Sequence, residues 1–346
     1  MLFASICIPV FETERFLSQC LRSVFLQDFD SFEVIVLSDA SRGKDEKGWN
    51  CKKITNSVYK DCSRLRKLNG LQKVKLSFFE NNVNRGLFEV RRTLVQEAGG
   101  QYISMVDSDD VMEEGALKAF YAASKLADYD IIHGTSTSGV FNKEGAFIPT
   151  KENRYGSIIY NEIKGRDIFS RWLLKQDFTG TSWGKLIKRE LFVKAFDCIP
   201  YTECNMAEDF LLFFFLSQYA KTYIGIKDKV YRYRVTSGMS SVRIIDSLNH
   251  WKMICSTASV FNIISTWIKA ENFTALGGRL FPEEIEYVQK ITVHFLWKNL
   301  QQLETVVVPE LKNQAHKMLC EYWGESFVKR VEVSLDKAGN DKASEI

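Results

Sequence analysis

Asp107-Ser108-Asp109-Asp110 puts three carboxylates within four positions, directly after the apolar run at 101–106. Neighbouring carboxylates repel one another unless a cation or solvent intervenes. Mg2+ or Mn2+ accepts hard oxygen ligands and typically takes one or two carboxylates, with phosphate oxygens and waters completing its shell. An isolated D-x-D is more simply an acidic turn, since Asp110 or Glu113 suits the positive start of the following helix. Placement at the end of a buried strand tips the balance toward a metal.

Other residues carry compatible chemistry. Arg91 shares a helix side with Leu87 and Leu94, where a charge is tolerated only with a partner or at the stripe's edge. An arginine facing a nucleotide or its phosphates accounts for it. Glu208-Asp209 opens an apolar helix; one acid can cap it, and the other can serve as a general base. In the strand at 230–235, Tyr231 and Tyr233 alternate with Arg232 and Arg234, so one face is aromatic and the other cationic. The cationic face is either plain solvent exposure or a diphosphate clamp. None of the four histidines falls in H-x-x-x-H spacing, and there is no G-x-S-x-G or G-x-x-x-x-G-K. Zinc hydrolysis, a serine hydrolase and a P-loop NTPase therefore lack support.

The elements that must position these groups follow from periodicity. Residues 3–10 and 32–37 are short continuous apolar runs, as in strands buried on both faces. Between them Phe16, Leu17, Cys20, Leu21, Val24 and Phe25 form one helical stripe. That strand-helix-strand is a βαβ unit with a parallel, right-handed crossover. Strands at 74–79 and 101–106, a helix at 87–98 between them, a helix at 113–126 and a short strand at 130–133 continue the alternation. The basic stretch 42–72, with Arg64 and Arg66, is expected as a solvated helix face. Ligands of such sheets sit beyond the carboxyl ends of the strands, where Asp39 and the 107–110 acids fall.

Past residue 140 the pattern loosens. Helices are expected at 165–176, 188–196 and 207–220, the last apolar nearly all round and so buried. Strands at 223–226 and 230–235 form a closing pair before the loop 236–241. Only helical patterns remain beyond 244, near 247–270, 282–303 and 309–331, and a polar tail from Asp336 is expected to be disordered. The resulting domains are 1–242, a helical 243–335 and the tail 336–346. At 346 residues and 45% apolar content the chain can build about two domains with real cores. A net charge of +3 is too small to bind nucleic acid by field alone. The eight cysteines show no C-x-x-C or metal spacing, and no signal segment or membrane-length apolar run is apparent. A cytoplasmic chain with reduced thiols fits. The sequon at 272–274 is then accidental.

Taken together, these positions resemble the family 2 glycosyltransferases with the GT-A fold, over roughly residues 4–241. The opening SICIPVFETERFLSQCLRSVFLQDFDSFEVIVLSDAS is similar to that family's first strand, helix and second strand. NRGLFEVRRTLVQEAGGQYISMVDSDD is similar to its stretch from an Asn-x-Gly turn to the metal-binding carboxylates. WGKLIKREL and AEDFLLF resemble its acceptor-side and catalytic-base segments.

The resemblance implies an inverting, metal-dependent transfer of sugar from a nucleoside diphosphate donor, UDP most commonly, to a hydroxyl of a glycan, lipid-linked or protein acceptor. It implies that Pro9 and Phe11 line the base pocket, Asp39 hydrogen-bonds the base, and Arg91 lies near the nucleotide. Asp107 contacts ribose or the Mn2+ or Mg2+ shell, and Asp109 ligates the metal. Asp209 is the implied base with Glu208 second, Trp183 is part of the acceptor floor, and loop 236–241 closes over donor. Glu12, Ser38, Ala40 and Arg92 depart from the family's usual Asn, Asp, Gly and Asn. A catalytically silent scaffold or glycan-binding protein of the same fold is the alternative. A nucleotidyltransferase is disfavoured because PVFETERF replaces its glycine-rich loop. The C-terminal helices leave acceptor binding, a homodimer or contact with a membrane surface open, and Trp251, Trp267, Trp297 and Trp323 on them suit a core.

Overall fold

The computed structural model describes residues 2–142, 145–150, 156–235, 244–270 and 280–343, with side chains to 334. Loop 236–241 and the sequon lie outside them. The chain clusters into two units, Met1–Tyr201 with Leu212–Ser241, and Thr202–Leu211 with Val242–Ile346. A single boundary at 242 does not foresee that residues 202–211 group with the C-terminal helices.

The first unit opens with β1 (Ala4–Val10), α1 (Glu14–Phe25), β2 (Phe32–Asp39), α2 (Cys51–Leu68), β3 (Lys75–Asn81), α3 (Leu87–Glu97) and β4 (Tyr102–Met105). β1, β2 and β4 are buried along their whole length, which is why they are continuous apolar runs. Then come β5 (Val111–Met112), α4 (Ala116–Ser124), β6 (Ile131–Phe141), β7 (Phe147–Pro149), β8 (Ile163–Lys164) and α5 (Asp167–Ser170), which runs on as a π turn, Arg171–Lys175. β9 (Lys185–Lys188), α6 (Arg189–Asp197), α7 (Glu208–Tyr219) from Leu212 onward, and β10 (Thr222–Arg234) complete it.

These strands form one sheet in the order β3-β2-β1-β4-β9-β6-β10-β5, with β7 on β6 and β8 on β10. β3, β2, β1 and β4 are parallel, β9 is antiparallel to β4 and β6, and β10 is parallel to β6. The chain steps outward from β1 to β3, then crosses back to lay β4 on the other side of β1. The carboxyl ends of β1 and β4 therefore flank a topological switch point, the place where open sheets hold ligands.

Two expectations need correction, and one strand is not foreseen. The closing pair of strands at 223–235 is one strand, β10, because two register shifts against β6 between Ile226 and Tyr231 absorb the exposed Lys227-Asp228-Lys229. The segment before α6 is a strand, β9, whose short Leu186-Ile187 core is too brief to show a period. Arg66 is not on a solvated face. It is 1% exposed, and its guanidinium donates to the carbonyls of Phe25, Gln27, Phe29 and Gln72 and to Asp30, so it ties the loop after α1 to the end of α2.

The second unit contains α8 (Leu248–Cys255), α9 (Thr257–Lys269), α10 (Pro282–Thr305), a 3-10 turn (Pro309–Leu311), α11 (Lys312–Trp323) and α12 (Glu325–Ala343). Gly324, at φ 86°, breaks what periodicity reads as one helix into α11 and α12. The α12 backbone stays helical past Asp336, to Ala343. Trp251 and Trp323 are buried core residues, whereas Trp267 and Trp297 are half-buried. No helix among the described residues is long and apolar enough to cross a membrane.

Candidate active site

At the end of β4 the four residues 107–110 diverge in environment. Asp110 is 1% exposed; its carboxylate accepts from the Tyr231 hydroxyl at 2.8 Å and from the Arg234 backbone N–H at 2.7 Å. Burial, reinforced by Asp109 and Asp107, pushes its pKa well above the usual carboxylate range. Asp110 is thus the anchor of the loop. Asp107 accepts from the buried Arg91 guanidinium at 3.2 Å, and its own N–H donates to the Tyr231 hydroxyl at 3.1 Å. Ser108 shares a 2.6 Å hydrogen bond with Thr13 of the turn after β1.

Asp109 differs from both. It is half-buried, and its carboxylate has no hydrogen bond or ion pair among the described residues. Only its backbone carbonyl is held, by Arg234 Nε at 2.7 Å. The loop is therefore fixed from behind while the Asp109 side chain stays half-exposed. No group of three His, Cys, Asp or Glu side chains placed to hold a metal ion by themselves occurs among the described residues. Two carboxylates, one of them already balanced by Arg91, suit Mg2+ or Mn2+ whose remaining ligands come from phosphate and water, and do not suit a closed structural site.

Arg232 and Arg234 do lie on the face of β10 opposite the tyrosines, but both have protein partners. Arg232 pairs with Glu113 at 2.6 Å and lies over Phe147. Arg234 is 7% exposed, lies over the rings of Phe16 and Phe141, and donates to Gln19. Trp183 is 4% exposed, with its ring stacked on Tyr231 and Tyr233 at 4.7 and 5.3 Å. These contacts make Trp183 a support beneath Tyr231 more than an open platform.

On the other side of the switch point Pro9 is buried at the end of β1, and Phe11, just beyond it, is 40% exposed. Asp39, at the end of β2, is 2% exposed. Its oxygens accept from Asn81 Nδ2 at 2.7 Å and from the backbone N–H groups of Arg85 and Gly86 at 3.0 Å. The Asn84-Arg85-Gly86 turn is completed by Asn84, which also accepts from the Gly86 N–H, and Gly86 takes φ 85°. Asp39 thus clamps the turn that launches α3 and aims Arg91.

Glu12 and Ala40, two of the departures from the resembling family, have φ of 55° and 53°. Asn and Gly enter that region readily, whereas Glu and Ala do so under strain. Hydrogen bonds hold Glu12 there. Glu12 N–H donates to Ser41 Oγ, the Glu12 carboxylate accepts from the Arg42 N–H, and Ser41 Oγ donates to the buried Glu14. A side chain on Gly43 would collide with that Glu14 carboxylate.

Glu208 and Asp209 sit in the first turn of α7, both half-buried, after Ala207 at φ 60°. They cluster with the second unit. Sequence reasoning missed Tyr231 and Arg234 as supports of the carboxylate loop. The signal available was the aromatic-cationic alternation itself, which reveals two faces without saying what each one meets.

Comparison with known proteins adds an independent line. The pattern of the family described as Glycosyl transferase family 2 matches residues 5–196. Glycosyltransferase GlyA of Streptococcus pneumoniae is 25% identical over 242 residues, which is 68% of this chain but 31% of GlyA. Glycosyltransferase GlyG of the same organism is 24% identical over 244 residues, 68% of this chain and 71% of GlyG. The chain thus spans less than a third of the first of these relatives. The crystal structure of Staphylococcus aureus TarS 1–349 in complex with UDP-GlcNAc aligns over 97% of this chain and 92% of that one. Its TM-score is 0.50 at 18% identity, a likeness of fold.

Proposed function

This chain belongs to glycosyl transferase family 2, with that family's GT-A architecture of a mostly parallel sheet flanked by helices, and on that premise we propose that it transfers a sugar from a nucleoside diphosphate donor to an acceptor hydroxyl with inversion. The observation that carries the proposal is the Asp109 carboxylate, half-exposed and without a hydrogen-bond or ion-pair partner among the described residues, on a loop held at every other member. A UDP-sugar is the donor we favour, because the TarS complex contains UDP-GlcNAc. The acceptor is a glycan or a lipid-linked glycan. A relative from Campylobacter jejuni, 25% identical over 113 residues, carries the name of a glucosyltransferase acting on an undecaprenol-linked glycan. The eight free thiols support a reducing, cytoplasmic setting.

In this reading Pro9 and Phe11 line the side of the base, and Asp39 shapes that side through the Asn84-Gly86 turn. Asp109, with Asp107, holds Mn2+ or Mg2+. Such an ion, when bound, neutralises charge that grows on the departing diphosphate. Arg91 pairs with Asp107 and orients it, and Tyr231, Asp110 and Arg234 keep the loop from collapsing toward its own carboxylates. Inversion by direct displacement requires the acceptor oxygen to attack from the face opposite the diphosphate, and that oxygen must lose a proton. Asp209 is assigned as the base that takes it, with Glu208 capping the start of α7.

The test is donor turnover, scored as transfer or as slow hydrolysis of radiolabelled UDP-sugars. Asp209→Asn should bind UDP as the parent does and turn over at least ~100-fold more slowly, since general-base assistance is typically worth about 10^2 to 10^4. Turnover within a few-fold of the parent refutes the assignment. A parent protein that binds UDP yet turns over no donor identifies a silent scaffold instead.

A further inference from the structure

The second unit, which lies outside the family match at 5–196, contains a cavity of about 290 Å³ with no role in the chemistry above. It is lined along one stripe of α10 by Phe295, Lys298, Asn299 and Gln302, and closed by Met206 and Ala207. That volume sits at the lower edge of the roughly 300–1,000 Å³ typical of ligand sites, room for one small ring system and not for an extended chain.

Three features show that it is built, not left over. Asn299 is 4% exposed, and its Oδ1 accepts from the indole N–H of the buried Trp323 at 3.1 Å. That bond fixes which way the amide points, so its NH2 group is turned the other way, where it reaches Gln302 Oε1 at 3.3 Å. The two amides are thereby held in a relay, leaving a second Asn299 N–H and the Gln302 NH2 as donors. The floor residue Ala207 is held at φ 60°, a strained conformation for alanine and one that concentrates at functional sites. Met206 and Ala207 also lead directly into Glu208-Asp209, so whatever fills the cavity is next in sequence to the proposed base.

Amide donors in fixed pairs match vicinal hydroxyls, and the half-buried Phe295 ring beside them presents an apolar surface that the C–H face of a pyranose can cover. A wholly apolar ligand would strand the amides, and an inorganic anion would leave Phe295 unused. We propose that this cavity binds one pyranose ring of the acceptor glycan, so that the helical unit selects the acceptor while the sheet unit handles donor; this rests on the glycosyltransferase reading above.

The test uses saturation-transfer NMR on the full chain with a panel of methyl pyranosides (glucose, galactose, mannose, N-acetylglucosamine, N-acetylgalactosamine), alongside calorimetric UDP binding with Mn2+. At least one pyranoside should bind the parent, and Gln302→Ala should weaken it about tenfold, the loss of one well-made hydrogen bond, with UDP affinity unchanged. Gln302 is half-exposed, so that variant folds even if Asn299→Leu does not; Gln289→Ala, exposed on α10 and outside the cavity lining, should change pyranoside affinity by no more than twofold. UDP binding with no pyranoside signal, or a signal equal in parent and Gln302→Ala, overturns the cavity assignment and leaves the transferase reading standing. Pyranoside binding without UDP binding would instead refute the donor site and keep the cavity.

Discussion

Tyr231→Phe isolates the support of the carboxylate loop, because it removes one oxygen and keeps the ring. The stack on Trp183, 4.7 Å between centroids and 13° between planes, is retained. Two hydrogen bonds are lost, one to a carboxylate that is 1% exposed and one from the partly buried Asp107 N–H. Leaving a buried acceptor unsatisfied costs about 1–3 kcal/mol, and a partly buried donor about 0.5–1.5 kcal/mol, so about 3 kcal/mol in all. For a unit of this size each kcal/mol moves the midpoint by about 2–4 °C, which gives a fall of about 9 °C. The loop that carries Asp109 is loosened at the same time, and lost outer supports of metal sites typically weaken binding about 10–100-fold. Differential scanning fluorimetry reads the first effect, and calorimetric titration of UDP with Mn2+ reads the second. A Tyr231→Phe protein melting within 2 °C of the parent, with unchanged UDP affinity, refutes the idea that this hydroxyl holds the loop.

Two further outcomes follow from local physics. Ala40→Gly relieves a left-handed alanine worth about 1–2 kcal/mol of strain, offset by about 0.5–1 kcal/mol of added chain entropy when unfolded; the urea midpoint should rise, and a fall would contradict the strain at φ 53°. His133 is 3% exposed, its Nδ1 shares a 2.8 Å hydrogen bond with Tyr223, and burial, helped by Lys185, holds its pKa well below 6.5. A depressed folded pKa contributes stability that is full above the unfolded value and is lost as pH falls toward the folded one, at about 1.4 kcal/mol per pH unit below ~6.5. His133→Gln should therefore show a shallower loss of melting temperature between pH 6.5 and 5 than the parent, whatever its absolute stability; parallel slopes would contradict the buried neutral imidazole.

The first half of the chain was legible because strands buried on both faces leave uninterrupted apolar runs, and β1, β2 and β4 are of that kind. The carboxylates at the end of β4 were legible for the same reason, since a strand end is a position and not a contact. What periodicity could not convey was partnership. Arg66 and Arg64 look alike in sequence, yet Arg66 is buried against four carbonyls. Arg232 and Arg234 were placed correctly on one face of β10, but Glu113 and the rings of Phe16 and Phe141 come from segments nearly a hundred or more residues away, beyond any local pattern. β10 itself read as two strands because its bulged residues are charged and exposed, as turn residues are. Glu12 and Ala40 stood out only against the family's usual Asn and Gly, and their backbone angles give the reason for that usage.

The most direct measurement is calorimetric titration of UDP into the full chain with and without Mn2+, repeated on Asp109→Ala. If the unpartnered carboxylate at the end of β4 holds the metal, Mn2+ should strengthen UDP binding to the parent by at least tenfold and leave Asp109→Ala unaffected. Equal Mn2+ enhancement in both proteins, or UDP affinity indifferent to Mn2+ and to EDTA, would contradict it.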